Sequence, residues 1–127
     1  MEIKKMIISQ TLEFAGSNLS GFIVIPEGAR IEKCYLMLES SLAADGTNHL
    51  TFNVRGSDGT TAVATQTTNS GASGISLTGL VSVELALSNA DKLVYADGGY
   101  IKLECDKGGS PANNKVIFGL KLALARD

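Results

Sequence analysis

The stretch at residues 115–126 alternates between large apolar side chains and a mixed set of small, polar and apolar ones. One phase of this repeat contains only large apolar residues, namely Val116, Phe118, Leu120, Leu122 and Leu124. A two-residue repeat places alternate side chains on opposite faces of a β-strand, so the pattern predicts a strand with one fully apolar face. Five large apolar side chains need a core to cover them, and we expect this strand to run along it.

Shorter alternations predict further strands, separated by Asp-Gly, Gly-Gly and Asn-rich turns. The clearest are residues 19–25, 49–55, 81–87 and 100–105, while residues 67–74 and 106–114 are predicted to be exposed polar loops. Because no long stretch has a helical period, the sequence predicts an all-β fold of about eight or nine short antiparallel strands. A two-sheet β-sandwich of jelly-roll type buries the alternate residues of such strands, with an immunoglobulin-like sandwich as the alternative.

Residues 30–40 are predicted to form a strand that is apolar on both faces. One face carries Cys34, Leu36 and Leu38, and the other carries Ile31, Tyr35 and Met37. A simple two-sheet sandwich covers only one of these faces. The excess apolar surface, which also includes Ile117, therefore suggests subunit contacts, and packing inside the same chain is the open alternative.

The N-terminal stretch alternates less regularly, with Ile7 out of phase with the other apolar residues Met6, Ile8, Leu12 and Phe14. Residues 1–18 are predicted to form an N-terminal arm or an edge strand, and residues 19–127 the β-sandwich domain.

Composition narrows the possible partners. Charged residues make up 19% of the 127 residues and the net charge is -2, so no strong field favours nucleic acid or a membrane surface as a partner. No apolar run is long enough to span a bilayer, and the start lacks a signal-peptide pattern, so we expect a soluble protein made in the cytoplasm. Cys34 and Cys105 are expected to be buried free thiols rather than a disulfide.

Residues that carry chemistry are few. His49 is the only histidine, and no pattern gives it an activated nucleophile or an orienting acid. Five aspartates fall in predicted turns, where backbone capping is the expected role and calcium binding the alternative: Asp45, Asp58, Asp91, Asp97 and Asp106. No phosphate-binding or Cys/His metal spacing is present, so the sequence predicts no enzyme, no cofactor and no metal site.

The order of these motifs resembles a known family. Residues 22–31, FIVIPEGARI, are similar to the strand, Pro-x-Gly-Ala turn and strand that open the jelly-roll decoration proteins of tailed-bacteriophage heads, also called cement or auxiliary capsid proteins. Residues 97–125 continue the resemblance with a Gly-Gly hairpin, an alternating strand, a Gly-rich loop and a long closing strand. The resemblance implies a non-enzymatic virion protein, commonly a homotrimer, that binds the major capsid protein on the outer capsid surface.

The resemblance also implies where contacts lie. The N-terminal segment would lie against a neighbour or the shell, with Lys4 and Lys5 beside acidic coat groups and Met6 and Ile8 in the same contact. The expected apolar contacts are Tyr35, Met37 and Ile117. An alternative of another class is a carbohydrate-binding β-sandwich module or a phage fibre tip that binds a receptor. An enzyme of this fold is less favoured, because the inward positions are apolar or thiol.

Overall fold

A computed structural model of the chain describes residues 2–25, 29–56, 60–88, 94–95 and 99–126. These ranges contain nine strands and a 3-10 turn at Ser70–Ala72. The strands are β1 (Glu2–Phe14), β2 (Leu19–Ile25), β3 (Ala29–Leu38), β4 (His49–Arg55), β5 (Ala62–Thr67), β6 (Val83–Leu85), β7 (Val94–Tyr95), β8 (Gly99–Gly108) and β9 (Asn114–Arg126).

The strands form two antiparallel sheets. Sheet A has the order β1-β9-β3-β6, with the short β7 also paired to β3, and sheet B has the order β2-β8-β4-β5. The pairs are nested, since β1 pairs with β9, β2 with β8, β3 with β6 and β4 with β5. This nesting arises when the chain folds into one long antiparallel ribbon that then rolls up. The β3–β9 and β4–β8 pairs join strands from different parts of the ribbon into the two sheets. The predicted jelly-roll sandwich is confirmed.

The core lies between the two sheets and comes from the alternating positions that the sequence indicates. In β9 the inward residues Val116, Phe118, Leu120 and Leu122 are buried, and in β4 the inward residues Leu50, Phe52 and Val54 are buried as well. The side chain of Leu124 lies outside the described residues. Cys34 and Cys105 are buried free thiols on the inner faces of β3 and β8.

β1 is the edge strand of sheet A and pairs with β9 over its whole length, from Glu2 opposite Arg126 to Phe14 opposite Asn114. Leu12 and Phe14 are buried, whereas Ile7, which is out of phase, is 79% exposed. The other edge strand at this flank is β2, which contacts β1. β5 and β6 contact each other along the opposite flank.

One inward residue of β3 differs from the prediction. Ile31 was expected on the same face as Tyr35 and Met37, but it is buried in the core. The register of β3 against β9 shifts between Ile31 and Lys33, where Glu32 is the extra residue of a bulge. A bulge changes the phase of the side chains that precede it, so Ile31 faces inward although simple alternation places it outward.

The middle of the chain also departs from the prediction. The strand expected over residues 81–87 is limited to Val83–Leu85. The loop expected over residues 67–74 contains a buried residue, Thr68, whose hydroxyl oxygen accepts a hydrogen bond from the Leu50 amide at 3.0 Å. Asp106 lies inside β8 rather than in a turn.

Several predicted turns, at residues 26–28, 57–59, 89–91 and 96–98, lie outside the described residues, and with them Asp58, Asp91 and Asp97. Within the described ranges, no helix has the length and apolar character to span a membrane.

Candidate protein interface

The outer face of sheet A carries an apolar patch, which we define as Tyr35, Met37 and Ile117. Met37 and Ile117 are directly opposite each other on β3 and β9, and Tyr35 is opposite Gly119. All three side chains are partly exposed, because sheet B covers only the inner face of sheet A. Thr11 of β1 extends the row of Met37 and Ile117 to the edge of the sheet.

A shallow depression of about 150 Å³ lies within this patch. It is lined by the patch residues together with the neighbouring residues Leu36, Ser82 and Gly119. Gly119 creates space there, because it contributes no side chain to the row that runs from Ser9 to Tyr35. A Cβ added to Gly119 would lie 3.6 Å from the Tyr35 Cβ, which is an ordinary contact distance.

Charged side chains lie on both sides of the apolar patch. At one end, the Lys115 Nζ lies 3.7 Å from Glu13 Oε1 and 3.8 Å from Glu39 Oε2. At the other end, Lys33 is opposite Lys121, and the Lys33 Nζ lies 4.0 Å from Glu84 Oε1. An apolar centre surrounded by exposed charges is the usual composition of a protein-binding surface.

Of the predicted contact residues in the N-terminal segment, those whose side chains are described do not share this patch. Lys4 pairs with Leu124 through the β1–β9 ladder, and its side chain lies outside the described residues. The Lys5 Nζ forms an ion pair with the Glu32 carboxylate of the same chain, and this hydrogen bond holds the pKa of Glu32 below its ordinary value. Met6 and Ile8 are partly buried against the core. Packing within the chain therefore accounts for their apolar character.

Leu80 and Val81 were not predicted as surface residues, but they are 69% and 51% exposed. They precede β6 and Ser82, which lines the depression. Val81 belongs to the strand predicted at residues 81–87, whereas the strand begins only at Val83. No local pattern would have marked Leu80, because its exposure depends on a turn held by residues distant in sequence.

The outer face of sheet B has a different character. Phe22 and Tyr100 form an edge-to-face aromatic pair with ring centroids 5.4 Å apart, and the neighbouring Val24 is 69% exposed. Next to this pair, the Glu104 carboxylate accepts hydrogen bonds from Arg55 and Lys102. Polar side chains follow on the remaining strands, where the Thr65 hydroxyl donates to Asn53 Oδ1 at 2.9 Å.

Among the residues that the structure describes, the candidates for catalysis and metal binding do not form a metal-binding group. His49 packs against Gly108, and its Nδ1 is buried without a hydrogen-bond partner. The Asp45 carboxylate accepts hydrogen bonds from the Thr47 and Asn48 amides, which lower its pKa and which correspond to the capping role expected of a turn aspartate. In the part of the chain that the structure describes, no group of three or more His, Cys, Asp or Glu side chains could hold a metal ion.

The arrangement on sheet A therefore has the composition of a protein-binding surface. A jelly roll by itself does not specify a function, because the same fold occurs in capsid proteins, lectins and other classes. In comparisons with models of known families and with curated proteins, this chain matches none.

Proposed function

We propose that this chain is a non-enzymatic structural protein of a tailed-phage virion, which binds the outer surface of the capsid and stabilises contacts between coat subunits. Its partners are the major capsid protein and further copies of itself, with the trimer as the form that the family resemblance implies. The observation that carries the proposal is the apolar patch at the centre of an exposed sheet face with charges on both sides. The motif order of residues 22–31 and 97–125 supports the capsid as the partner.

The proposed mechanism is mechanical reinforcement of the capsid. A capsid fails where neighbouring coat subunits separate, and a protein that bridges them adds buried area that must be lost before they part. Self-association strengthens the attachment, because each bound copy raises the effective concentration of the others at the surface. A rigid sandwich suits this role, since little conformational entropy is lost when a preformed surface binds.

Capsid association tests the proposal directly. Purified protein is added to heads that lack it, and binding is measured by co-sedimentation and electron microscopy. Ile117→Lys places a charge in the apolar patch and is expected to weaken binding, whereas Val24→Lys makes a similar change on the outer face of sheet B and is expected to leave it intact. If the unmodified protein does not bind to capsids, or if the two variants behave alike, the proposal is wrong.

A second candidate function, carbohydrate or receptor binding, has one observation in its favour. The Phe22 side chain is 55% exposed on a sheet face that also carries the charged side chains of Lys102 and Glu104. An exposed aromatic ring beside polar groups offers both an apolar surface and hydrogen-bonding groups to a sugar. Retention on a polysaccharide resin that is abolished by Phe22→Ala would favour this function over capsid binding.

A further inference from the structure

Leu80 combines two features that are each unfavourable for an isolated chain. Its backbone has φ 61°, in the left-handed region, and its side chain is 69% exposed. A residue with a branched side chain in this conformation is strained, and glycine or asparagine is the usual occupant. Because the Leu80 side chain is exposed, it does not gain the free energy of burial in the core that would offset the backbone strain. A strained and exposed apolar residue of this kind indicates a contact with another molecule.

The turn that carries Leu80 is held firmly in place. The Leu80 amide donates a hydrogen bond of 2.7 Å to the Leu38 carbonyl, and the Gly79 amide donates one of 2.8 Å to the Ser41 hydroxyl. Gly79 lies so close to the Glu39 carbonyl that an added Cβ would be 2.8 Å away. The Leu80 side chain is therefore presented from a fixed backbone, which reduces the entropy lost on binding.

The same chain offers a site that matches such a side chain. The depression formed by Tyr35, Met37, Ile117 and Gly119 is apolar, shallow and of about 150 Å³, a size suited to one aliphatic side chain. Leu80 does not line it, although Ser82, two residues later, does. Because Leu80 projects from the chain only two residues from the depression, one copy of the chain can insert this side chain into the depression of another copy.

The charges on this face also favour a second copy. Among the side chains that the structure describes, the end of the face near Arg30 and Lys33 carries four basic and two acidic ones, namely Lys5, Arg30, Lys33 and Lys121 against Glu32 and Glu84. At the other end, Glu13 and Glu39 outnumber Lys115. The ends therefore have opposite net charge, and the positive end of one copy is complementary to the negative end of another.

The area of the face is close to that of a stable contact. The strands of sheet A lie about 4.8 Å apart. With 13 residues in β1, 13 in β9, 10 in β3 and 3 in β6, they give a face of roughly 600 Å². A standard protein interface buries about 800 Å² on each partner, so the face together with the Leu80 turn approaches that area.

We infer that Leu80 of one copy inserts into the depression between Tyr35, Met37 and Ile117 of a second copy of this chain. The inference rests on the proposed function and deepens it, because it assigns the apolar patch to the contact between copies whose self-association strengthens attachment to the capsid. Self-association is measured in the absence of capsids, so its failure is distinguishable from a failure of capsid binding.

Two substitutions remove the contact without harming the fold. Leu80→Asn suits the left-handed backbone better than leucine does, and it removes the apolar side chain. Gly119→Val fills the depression, where its Cβ meets only ordinary contacts, and replaces glycine with a residue that favours strands. Both variants are expected to unfold at the same temperature as the unmodified chain or at a higher one.

Sedimentation equilibrium and light scattering measure the effect. The unmodified chain is expected to self-associate, and each variant is expected to raise the dissociation constant at least about thirtyfold, as removal of an anchor side chain does. A chain that stays monomeric at about 1 mM, or variants that associate as tightly as the original, would overturn the inference.

A cross-linking experiment tests the pairing of the two sites. Protomers with Leu80→Cys are mixed with protomers carrying Ile117→Cys and oxidised, while the buried Cys34 and Cys105 remain protected. A covalent dimer that contains one protomer of each kind is expected. Absence of that dimer from a mixture that self-associates contradicts the pairing.

Discussion

Gly108 lies directly against the imidazole of His49, its partner in the β4–β8 ladder. A Cβ added to Gly108 would lie 2.1 Å from His49 Nε2 and 2.4 Å from Cε1. No ordinary contact is that short, so any larger residue at this position must displace the ring. This contact fixes the imidazole at the end of the sheet, where its Nδ1 is buried.

Gly108→Ala is expected to destabilise the chain by about 1–3 kcal/mol, because the new methyl group forces the His49 ring out of its place. In a His49→Ala background the same substitution should cost much less, since the ring is absent. Urea unfolding of the four proteins measures both costs. If Gly108→Ala lowers the free energy of unfolding equally in both backgrounds, the added methyl group does not clash with His49.

Gly109 provides the contrasting case. Its φ is +66°, and an added Cβ would lie 2.3 Å from the Thr47 carbonyl oxygen, which is a backbone atom. Gly109→Ala is therefore expected to destabilise the chain by about 1–3 kcal/mol whether or not His49 is present. A cost that falls when His49 is removed would contradict this assignment.

Neighbouring residues of β9 should respond very differently to truncation. Phe118 is fully buried, and Phe118→Ala is expected to cost about 3–5 kcal/mol because it leaves a cavity in the core. Ile117 faces outward, so Ile117→Ala should cost less than about 1 kcal/mol in the monomer while it weakens self-association. Denaturant unfolding at low protein concentration separates the two effects. A large loss of monomer stability in Ile117→Ala would contradict the placement of this residue.

The two thiols should be inert in the folded chain. Burial raises the pKa of Cys34 to about 12, and burial together with the charge of Asp106 raises that of Cys105 to about 12. We expect neither to react with a disulfide reagent at mildly alkaline pH until the chain unfolds, because the thiolate is the reactive form. Rapid labelling of either thiol in the native state would contradict this expectation.

The same thiols link stability to alkaline pH. A folded-state pKa above the ordinary value of 9.0 means that the protonated thiols stabilise the fold fully below that pH. This stabilisation is lost as the pH rises from 9.0 towards about 12. The thermal midpoint should therefore fall across that range, and it should fall less steeply in Cys34→Ala. Identical slopes for the two proteins would exclude Cys34 as a cause.

Glu104 should link stability to acidic pH with the opposite sign. Burial opposes its ionisation, but the hydrogen bonds and charges of Arg55 and Lys102 outweigh burial and hold the pKa of Glu104 below its ordinary value. The stabilisation is present above the ordinary pKa of the group and is lost as the pH falls through the lowered one. Glu104→Gln is thus expected to cost about 1 kcal/mol at neutral pH and almost nothing in strong acid.

Thermal unfolding of both proteins across the acidic range measures that difference. The matched control is Glu84→Gln, which removes an exposed carboxylate 4.0 Å from Lys33 and should change stability by less than about 0.5 kcal/mol at any pH. A cost of Glu104→Gln that is independent of pH would show that the ion pair is not its source.

Sequence patterns predicted the strands with the clearest alternation and failed where the backbone departs from it. Phe52 and Phe118 lie in the core because simple alternation holds along β4 and β9. Ile31 was misplaced because a bulge at Glu32 changes the phase, and nothing in the residues around it marks the bulge. Thr68 was missed because its burial depends on hydrogen bonds to Leu50, which lies in another strand.

The candidate interface was predictable only in part. Tyr35, Met37 and Ile117 were identified because apolar residues on the second face of a strand are conspicuous in the sequence. Leu80 was not, since its exposure follows from a turn fixed by Leu38 and Ser41, about forty residues earlier. Long-range hydrogen bonds of this kind leave no local pattern.

The pairing of β1 with β9 has a consequence for synthesis of the chain. Phe14 is opposite Asn114, so β1 acquires its ladder partner only after about a hundred further residues have been made. Until β9 has been made, the backbone amides and carbonyls of β1 can form hydrogen bonds with other nascent chains. The polypeptide therefore depends on the late β1–β9 pairing to avoid aggregation. Chaperone demand during expression should therefore be high and should fall sharply once the native sheet has closed.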